Sequence, residues 1–426
     1  MINKPRGTED ILPKDSALWR KIENTIHEVC ENFGYGEIRT PTFEATELFE
    51  RGVGDTTDVV QKEMYTFLDK GERSMTLRPE GTASVVRAFL ENSLYANPQP
   101  TKLYYIIPCY RYEKPQAGRL REFHQFGVEV FGAARATVDV EVISLAVNLL
   151  ERLGVSGVEL NINSIGCPDC RPSYNEKLRA HFEARKDKLC ETCLGRLEKN
   201  PMRIIDCKSP VCGEIAQGAP KVSDHLCESC ETHFSSVKSG LDNLSITYNI
   251  DPNIVRGLDY YTKTVFELTS NALGAQSALC GGGRYDGLVT TLGGSETPAI
   301  GFAMGLERLV RILGQQQEAE TNGCDLFITT IGDVALQAAE KLAYTLRQSG
   351  KSVQIDLLGR SVKAQMKYAD KIGAKYSVVL GDDELGEDKR VKHIVNLKNM
   401  QTGETKEDVL IAELVNTSDW GTFFNE

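Results

Sequence analysis

Two groups of residues in this chain have the types and spacing to do chemistry. The first is a set of arginines and carboxylates in strand-like stretches. Arg111 lies in LYYIIPCYRYE (103–113), Arg256 in IVRGLDYYTKTVFE (254–267) and Arg308 in GFAMGLERL (301–309), with Glu80, Gln125 and Glu129 as acceptors. Such a set can stabilise charge on a transferring phosphoryl or nucleotidyl group without a side-chain nucleophile. The second group is eight of the twelve cysteines, which fall in pairs as CPDC, CETC, CKSPVC and CESC. They are Cys167 and Cys170, Cys190 and Cys193, Cys207 and Cys212, Cys227 and Cys230. In a reducing compartment paired cysteines at these gaps read as metal ligands rather than disulfides. Eight thiolates suffice for two closed tetrahedral sites, so structural zinc, two ions, is the expectation. His181 and His225 could replace a thiolate, and the spacing leaves open which pairs share an ion. Redox-active or idle thiols are the alternative.

Other motifs fail. Gly350-Lys351-Ser352 resembles the end of a phosphate-binding loop, but Thr345 stands where its first glycine belongs. Gly281–Gly283 lacks the spacing and helix start of a dinucleotide fingerprint. With six histidines in the chain, no Ser-His-Asp arrangement stands out.

The elements that must position these residues are legible in outline. SALWRKIENTIHEVCEN (16–32) has helical periodicity, with Leu18, Ile22, Ile26 and Val29 on one face. SMTLRPEGTASVVRAFL reads as strand, turn and a helix begun by Thr82. Residues 103–113 and 120–131 read as antiparallel strands joined by the polar loop KPQAGR. On the second, Phe123, Gln125, Gly127, Glu129 and Phe131 share a face. A carboxylate between phenylalanines argues for a covered face rather than a solvated one, and a buried carboxylate must be paired or hydrogen-bonded. A helix is expected at 137–153, and strands at LSITYNI, TVFELTS and AQSALC. The polar QQQEAETNG (315–323) suits a linker. Beyond it, alternating strand and helix patterns predict a small βαβαβ domain with a parallel or mixed sheet. There Lys363, Lys367, Lys371 and Lys375 recur every four residues and form a ridge. A solvated helix face is the plainer reading of that ridge.

A length of 426 residues suits two or three domains. The net charge of −11 argues against indiscriminate nucleic-acid binding while allowing a local basic face. The N-terminal MINKPRGTEDILPKDS has no apolar core and does not read as a signal peptide. The longest apolar run, VISLAVNLL (142–150), is too short to span a membrane, so a cytoplasmic protein without membrane contact is expected.

These residues carry a resemblance to the class II aminoacyl-tRNA synthetases, and within them to the histidyl-tRNA synthetase family. GYGEIRTPTFEATELF resembles motif 1, the dimer-forming segment; YYIIPCYRYEKPQAGRLREFHQFGVEVFG resembles motif 2; GFAMGLERL resembles motif 3. IVRGLDYYTKTVFE and ALCGGGRYDGL resemble the two histidine signatures, and the likeness runs from PRGTEDILP through the C-terminal domain. The resemblance implies an α/β (α+β) protein with an antiparallel catalytic sheet. Its catalytic domain would occupy 1–165 and 241–320, with a cysteine-rich inserted domain at 166–240 and an α/β anticodon-binding domain at 324–426. It implies a homodimer that activates L-histidine with ATP and Mg²⁺ and transfers it to the tRNA for histidine.

Site roles follow from the same resemblance. Arg256 would be the catalytic cation between the histidine carboxylate and the α-phosphate, and Arg111 would bind that phosphate. Glu80, Thr82 and Gln125 would hold the ammonium. Tyr261, with Tyr260 beside it, would face the imidazole, and Glu129 would accept the imidazole N–H from the other side. Phe123 and Arg308 would sandwich adenine, and Glu113 would meet its amino group. The glycines 281–283 would form a wall without side chains. Arg119 and Arg121 would meet the acceptor stem. Lys363 and Lys367 gain weight as anticodon-stem contacts, although the acidic DDELGED (382–388) weakens that. The resemblance says little about metal in the insertion, which looks short of apolar residues, so its folding should depend on the metal. The alternative function is a catalytically silent paralogue that senses histidine or tRNA. Such proteins would be expected to lose a signature or the anticodon domain, and this chain keeps both signatures and the domain.

Overall fold

The fold was obtained as a computed structural model that describes residues 1–54, 57–116, 118–207, 209–271, 278–316, 323–381 and 394–424. The acidic run 382–388 and most of the 315–323 linker lie outside the described residues. The chain divides into two units, Met1–Gln317 and Glu318–Glu426.

The first unit opens with α1 (Pro13–Asn32), started by its proline and burying Trp19, Ile22, Ile26, Val29 and Cys30 at three- and four-residue spacing. Then come β1 (Gly36–Glu37), β2 (Phe43–Ala45), α2 (Thr46–Val53), β3 (Tyr65–Leu68), β4 (Ser74–Leu77) and α3 (Thr82–Glu91). Next are β5 (Thr101–Tyr110), β6 (Glu122–Phe131), α4 (Ala136–Arg152) and β7 (Val158–Ser164). Four helices are inserted after β7: α5 (Arg171–Glu183), α6 (Glu191–Lys199), α7 (Pro210–Gln217) and α8 (Glu228–Asn243). The chain returns through β8 (Asn249–Ile250), β9 (Thr262–Ser270), β10 (Ala278–Arg284), α9 (Leu288–Thr291), β11 (Ala299–Gly305) and α10 (Leu306–Gln316).

Eight strands make one sheet in the order β1-β5-β6-β11-β10-β9-β7-β8. The run from β5 to β7 is antiparallel throughout, and the two short edge strands pair in parallel. This is the antiparallel catalytic sheet expected from the sequence. One face packs Phe126, Val128 and Val130 of β6 against α1, α4 and α10. The opposite face carries Gln125, Gly127 and Glu129, so the outer-face reading of this strand is excluded: residues 125–131 are buried on both sides. β2, β4 and β3 form a separate three-stranded antiparallel sheet.

Several local expectations change. Of LSITYNI only Asn249 and Ile250 pair as a strand. The insertion is not short of core. Tyr174, Leu178, Phe182, Leu197, Met202 and Ile204 are buried together and continue into Ile254, Tyr261 and Val265 of the catalytic unit. Each such side chain contributes about 1.5–3 kcal/mol when fully buried, so metal is not the insertion's sole source of stability.

The second unit has a five-stranded sheet ordered β13-β12-β14-β15-β16. It comprises β12 (Leu326–Ile331), α11 (Asp333–Gln348), β13 (Val353–Ile355), α12 (Val362–Lys371), β14 (Tyr376–Gly381), β15 (Ile394–Asn399) and β16 (Thr405–Leu410). The first three strands are parallel, and β15 and β16, two strands not read from the sequence, add antiparallel pairs, so of the parallel and mixed alternatives the sheet is mixed. Lys363, Lys367 and Lys371 are exposed on α12. Lys375 is not part of that ridge: it lies beyond the helix and pairs with Asp325 at 2.9 Å.

Candidate active site and cysteine clusters

A cavity of about 280 Å³ opens in the first unit over the site face of the sheet. Its lining brings together Glu80, Thr82, Arg111, Glu113, Arg119, Phe123, Gln125, Arg256, Tyr260, Tyr261, Gly281 and Arg308. Residues more than two hundred positions apart meet because β6, β11, β10 and β9 are neighbours in the sheet.

Glu80 sits just ahead of α3 and caps it: its two carboxylate oxygens accept from the backbone N–H groups of Thr82 and Ala83, each at 2.8 Å. The helix start therefore fixes the carboxylate's orientation, and burial raises its pKa. Gln125 Oε1 accepts from the Gly81 N–H at 3.1 Å. Arg111 donates through Nε to Pro79 O at 2.8 Å and lies 5.3 Å from the Phe123 ring centre. Glu113 stands between Arg111 at 3.9 Å and Arg119 at 3.2 Å. Arg308 donates to the carbonyls of Ala278 and Gly118.

Arg256 Nη1 pairs with Glu267 Oε1 at 3.0 Å, and its guanidinium lies 6.0 Å from the Tyr261 ring centre. A Cβ on Gly281 would stand 1.8 Å from Arg256 Nη2, so only glycine leaves room for this cation. Arg256 Nε is buried without a hydrogen-bond partner among the described residues. A buried, unpartnered guanidinium donor beside an open cavity is what an anionic ligand would satisfy. Tyr260 and Tyr261 stack at 4.7 Å between ring centres, tilted by 45°.

Glu129 lies behind this lining rather than in it and is fully buried. Its Oε1 accepts from the Thr82 hydroxyl at 2.8 Å and the Tyr105 hydroxyl at 3.2 Å, and its Oε2 accepts from the Tyr285 hydroxyl. Burial pushes its pKa up to about 8 against these three donors. Glycines make the recess: a Cβ on Gly301 would sit 2.0 Å from Glu129 Oε2, and Cβ atoms on Gly81 or Gly127 would sit 2.4 and 2.3 Å from the Tyr105 ring.

Sequence reasoning missed Tyr105, Tyr285, Glu267 and Glu307. Glu267 and Tyr285 stand within the quoted histidine signatures, and only the pairing of Glu267 with Gly281 across β9 and β10 shows what the carboxylate holds. Glu307 lines the cavity and receives the His124 backbone N–H at 2.7 Å and ring Nδ1 at 3.0 Å. Arg121 does not line the cavity; it stacks on Tyr112 at 3.9 Å, and its backbone N–H is bound to Gly7 O. Lys363 and Lys367 belong to the second unit.

The cysteines sort into two clusters, and this resolves the pairing that spacing left open. Cys167, Cys170, Cys227 and Cys230 form one, Cys190, Cys193, Cys207 and Cys212 the other, with all four sulfurs of each within 4.8 Å of one another. His181 and His225 are in neither; His181 bonds Ile215 O and His225 faces Lys177. Measured Sγ–Sγ separations are 3.4, 3.9 and 3.6 Å in the first and 3.8 Å in the second. A tetrahedral ion with sulfurs at about 2.3 Å requires edges of about 3.8 Å, so both cages fit. Backbone N–H groups of Cys167 and Cys227 point at Cys170 Sγ, and that of Cys190 at Cys212 Sγ, as donors to thiolate would.

Comparison with known proteins gives a consistent picture. A family model described as histidyl-tRNA synthetase matches residues 7–309, and one described as anticodon binding domain matches residues 325–417. The histidine–tRNA ligase of Acetivibrio thermocellus is 58% identical over 415 residues, covering 96% of this chain and 98% of that protein. That of Caldanaerobacter subterraneus is 55% identical over 412 residues, covering 96% and 97%. The crystal structure of apo S. aureus histidyl-tRNA synthetase superimposes with a TM-score of 0.82 at 43% identity, covering 98% of this chain and 99% of that one.

Proposed function

Because the chain belongs to the histidyl-tRNA synthetase family, we propose that it is a histidine–tRNA ligase whose cavity divides the work as follows. Histidine's carboxylate attacks the α-phosphorus of ATP and expels pyrophosphate; the tRNA 3′-hydroxyl then attacks the adenylate's carbonyl carbon, forming the ester and releasing AMP. The substrate brings its own nucleophile, so the protein's task is to orient it and to stabilise developing charge. The observation that carries the assignment is the convergence of Arg111, Arg256 and Arg308 with Glu80, Thr82 and Gln125 on one cavity.

Arg256 lies between the carboxylate and the α-phosphate and offers its unpartnered Nε. Arg111, held by Pro79 O, takes the phosphate. Glu80, Thr82 and Gln125 take the ammonium. Tyr261 and Glu129 take the two imidazole nitrogens, Glu129 through the lone pair its three hydroxyl donors leave over. Such a site rejects apolar isosteres, which would leave buried polar groups unpaired. Adenine lies between Phe123 and Arg308 with Glu113 at its amino group, and Mg²⁺ arrives as part of the ATP substrate. Arg119 and Arg121 meet the acceptor stem, and Lys363 and Lys367 the anticodon stem. Zinc is the ion of the two cysteine cages, where it supplies a structural cross-link. Dimerisation is assigned to the motif 1 segment, whose exposed Phe43 meets the exposed Phe67 of β3 edge to face on the small sheet.

The domains follow: catalytic at 1–165 and 241–320, insertion at 166–240, anticodon-binding at 324–426. A cytoplasmic location is part of the same proposal; no helix among the described residues is long and apolar enough to cross a membrane. The family relatives favour the ligase over a silent sensor. Histidine-dependent ATP–pyrophosphate exchange tests this directly. Exchange should be present in the native chain and fall by about 10²–10³ in Arg256→Ala, with ATP affinity largely kept. No exchange in the native chain would reject the ligase.

A further inference from the structure

The segment from Ile254 to Tyr261, which carries Arg256 and both tyrosines, has no helix or strand of its own. It must be held from outside, and the insertion holds it at three points, two backbone carbonyls and one side chain. Arg171 donates through Nη2 to the carbonyl of Tyr261. Arg203 donates through Nη1 to the carbonyl of Arg256 at 2.9 Å. Asn200 donates to Asp259 Oδ1 at 2.9 Å. The two arginines thus grip the carbonyls of the two residues assigned to the carboxylate–phosphate contact and to the imidazole.

Each arginine is in turn anchored by a cysteine cage. Arg171 follows Cys170 directly and is the first residue of α5. Arg203 lies in the turn Pro201–Ile204, between Cys193 and Cys207, with only 8% of its surface exposed. Its own carbonyl is held at 3.1 Å by Arg196, which lies three residues past Cys193. Apolar packing joins the same parts, since Cys193 and Cys212 share one cluster with Ile254 and Tyr261.

We propose that Arg171 and Arg203 are positioning residues for histidine activation, clamping the backbone of the histidine segment, and that the two four-cysteine cages hold them in place. This rests on the assignment of Arg256 and Tyr261 to the histidine site. The insertion is then a brace for the amino-acid half of the cavity. Arg111 in the loop after β5, Phe123 on β6 and Arg308 on α10 do not depend on it.

The test compares Arg171→Met and Arg203→Met with the native chain. Methionine keeps the length and apolar stem and removes the donors. A displacement of about 1 Å at a reacting group costs on the order of 10²-fold, so kcat/KM for histidine in pyrophosphate exchange should fall by about 10- to 100-fold. KM for ATP should stay within about twofold, because the adenine contacts lie elsewhere. Amide hydrogen exchange, measured without nucleotide, should accelerate at residues 255–262 and stay unchanged in β5 and β6. Arg171→Lys, which keeps the charge and a donating nitrogen, should recover part of the loss. Removing bound metal from the native chain with a chelator should give the same local acceleration without any substitution. The proposal is overturned if residues 255–262 exchange at the native rate in both variants and in the metal-free chain. Equal losses for histidine and ATP, with acceleration throughout the sheet, also overturn it, since they mark general destabilisation. A native chain without histidine-dependent exchange would instead reject the functional assignment, and the hydrogen-exchange result would still decide whether the clamp exists.

Discussion

Glu129→Gln tests the buried carboxyl at the base of the site, and the structure sets the size of its effect. An ordinary glutamate titrates near 4.5, whereas burial holds Glu129 at about 8 in the ligand-free protein. The folded value is raised, so the carboxyl's contribution to stability is complete below about pH 4.5 and is lost as pH rises to about 8. Each pH unit of that interval is worth about 1.4 kcal/mol, which gives about 5 kcal/mol in all and roughly 2–3 kcal/mol between pH 6 and pH 9. Glutamine has the same shape and no charge to bury, so the variant escapes this loss. Urea unfolding followed through Trp19, with Trp420→Phe in both proteins to silence the second unit, should show native stability falling relative to the variant by that amount from pH 6 to pH 9. The other titrating groups, His124 among them, are common to both proteins and cancel. Histidine kinetics should move in the opposite sense. Losing a charge-assisted acceptor costs about 1.5–3 kcal/mol, so KM for histidine should rise by about 10- to 100-fold in Glu129→Gln. A stability difference that is flat between pH 6 and pH 9 would refute the reasoning about the buried carboxyl. An unchanged histidine KM would remove Glu129 from the imidazole contact.

Gly281→Ala places a Cβ 1.8 Å from Arg256 Nη2, the movable end of a side chain, so the guanidinium shifts while the strand stays. Pyrophosphate exchange should fall by about 10²-fold with the thermal transition within about 0.5 kcal/mol of native, as measured by calorimetry. Lys363→Glu with Lys367→Glu should raise KM for tRNA in aminoacylation and leave pyrophosphate exchange unaltered, because both lysines are exposed on α12. Metal analysis of protein purified without added zinc should find about two zinc ions per chain, and chelation should open residues 167–230 to protease. Metal-free protein with a resistant insertion would refute the zinc assignment.

What was legible in the sequence was whatever repeats locally. The period of α1, the alternation along β6 and the strand–helix alternation of the second unit all appear as spacing, and the structure follows them. What was not legible depends on partners across strands. Tyr105 looks like one more aromatic in LYYIIPCYRYE; only the lack of side chains at Gly81 and Gly127 shows that a ring is meant to lie between them. Tyr285 looks like the tail of a glycine run until its hydroxyl meets Glu129. Cysteine spacing gave the pairs but not their partners, because those depend on how α5 to α8 fold back on β7. The apolar side chains of the insertion were discounted because charged residues separate them in sequence, and four helices gather them on one side. The antiparallel β15 and β16 were missed for a related reason: Asn and Lys interrupt β15, and Lys, Glu and Asp leave Val409 as the single buried position of β16.

The arginines show why types and spacing alone do not assign a role. Arg284 lies three residues beyond Gly281 in the same signature and is fully buried. It donates to Asp139 three times, to Asp286, and to the carbonyls of Ala133 and Arg135. Every face of that guanidinium is taken, so it joins β10 to α4 and has nothing left for a substrate. Arg256 is held through one nitrogen by Glu267 and keeps a buried donor unsatisfied. Arg111 is likewise gripped by one backbone carbonyl with a carboxylate at 3.9 Å. Partial pairing is the useful state for a charge-stabilising site. One bond fixes the plane of the guanidinium before substrate arrives, so in the proposed role little reorganisation remains at the moment of reaction, and the donors left over remain to answer a developing charge. Complete pairing would make Arg256 another Arg284, and removal of Glu267 would leave the cation free to choose its own orientation. The sequence shows arginines near glycines and carboxylates alike, and the number of bonds already made separates the brace Arg284 from Arg256, the cation proposed for catalysis.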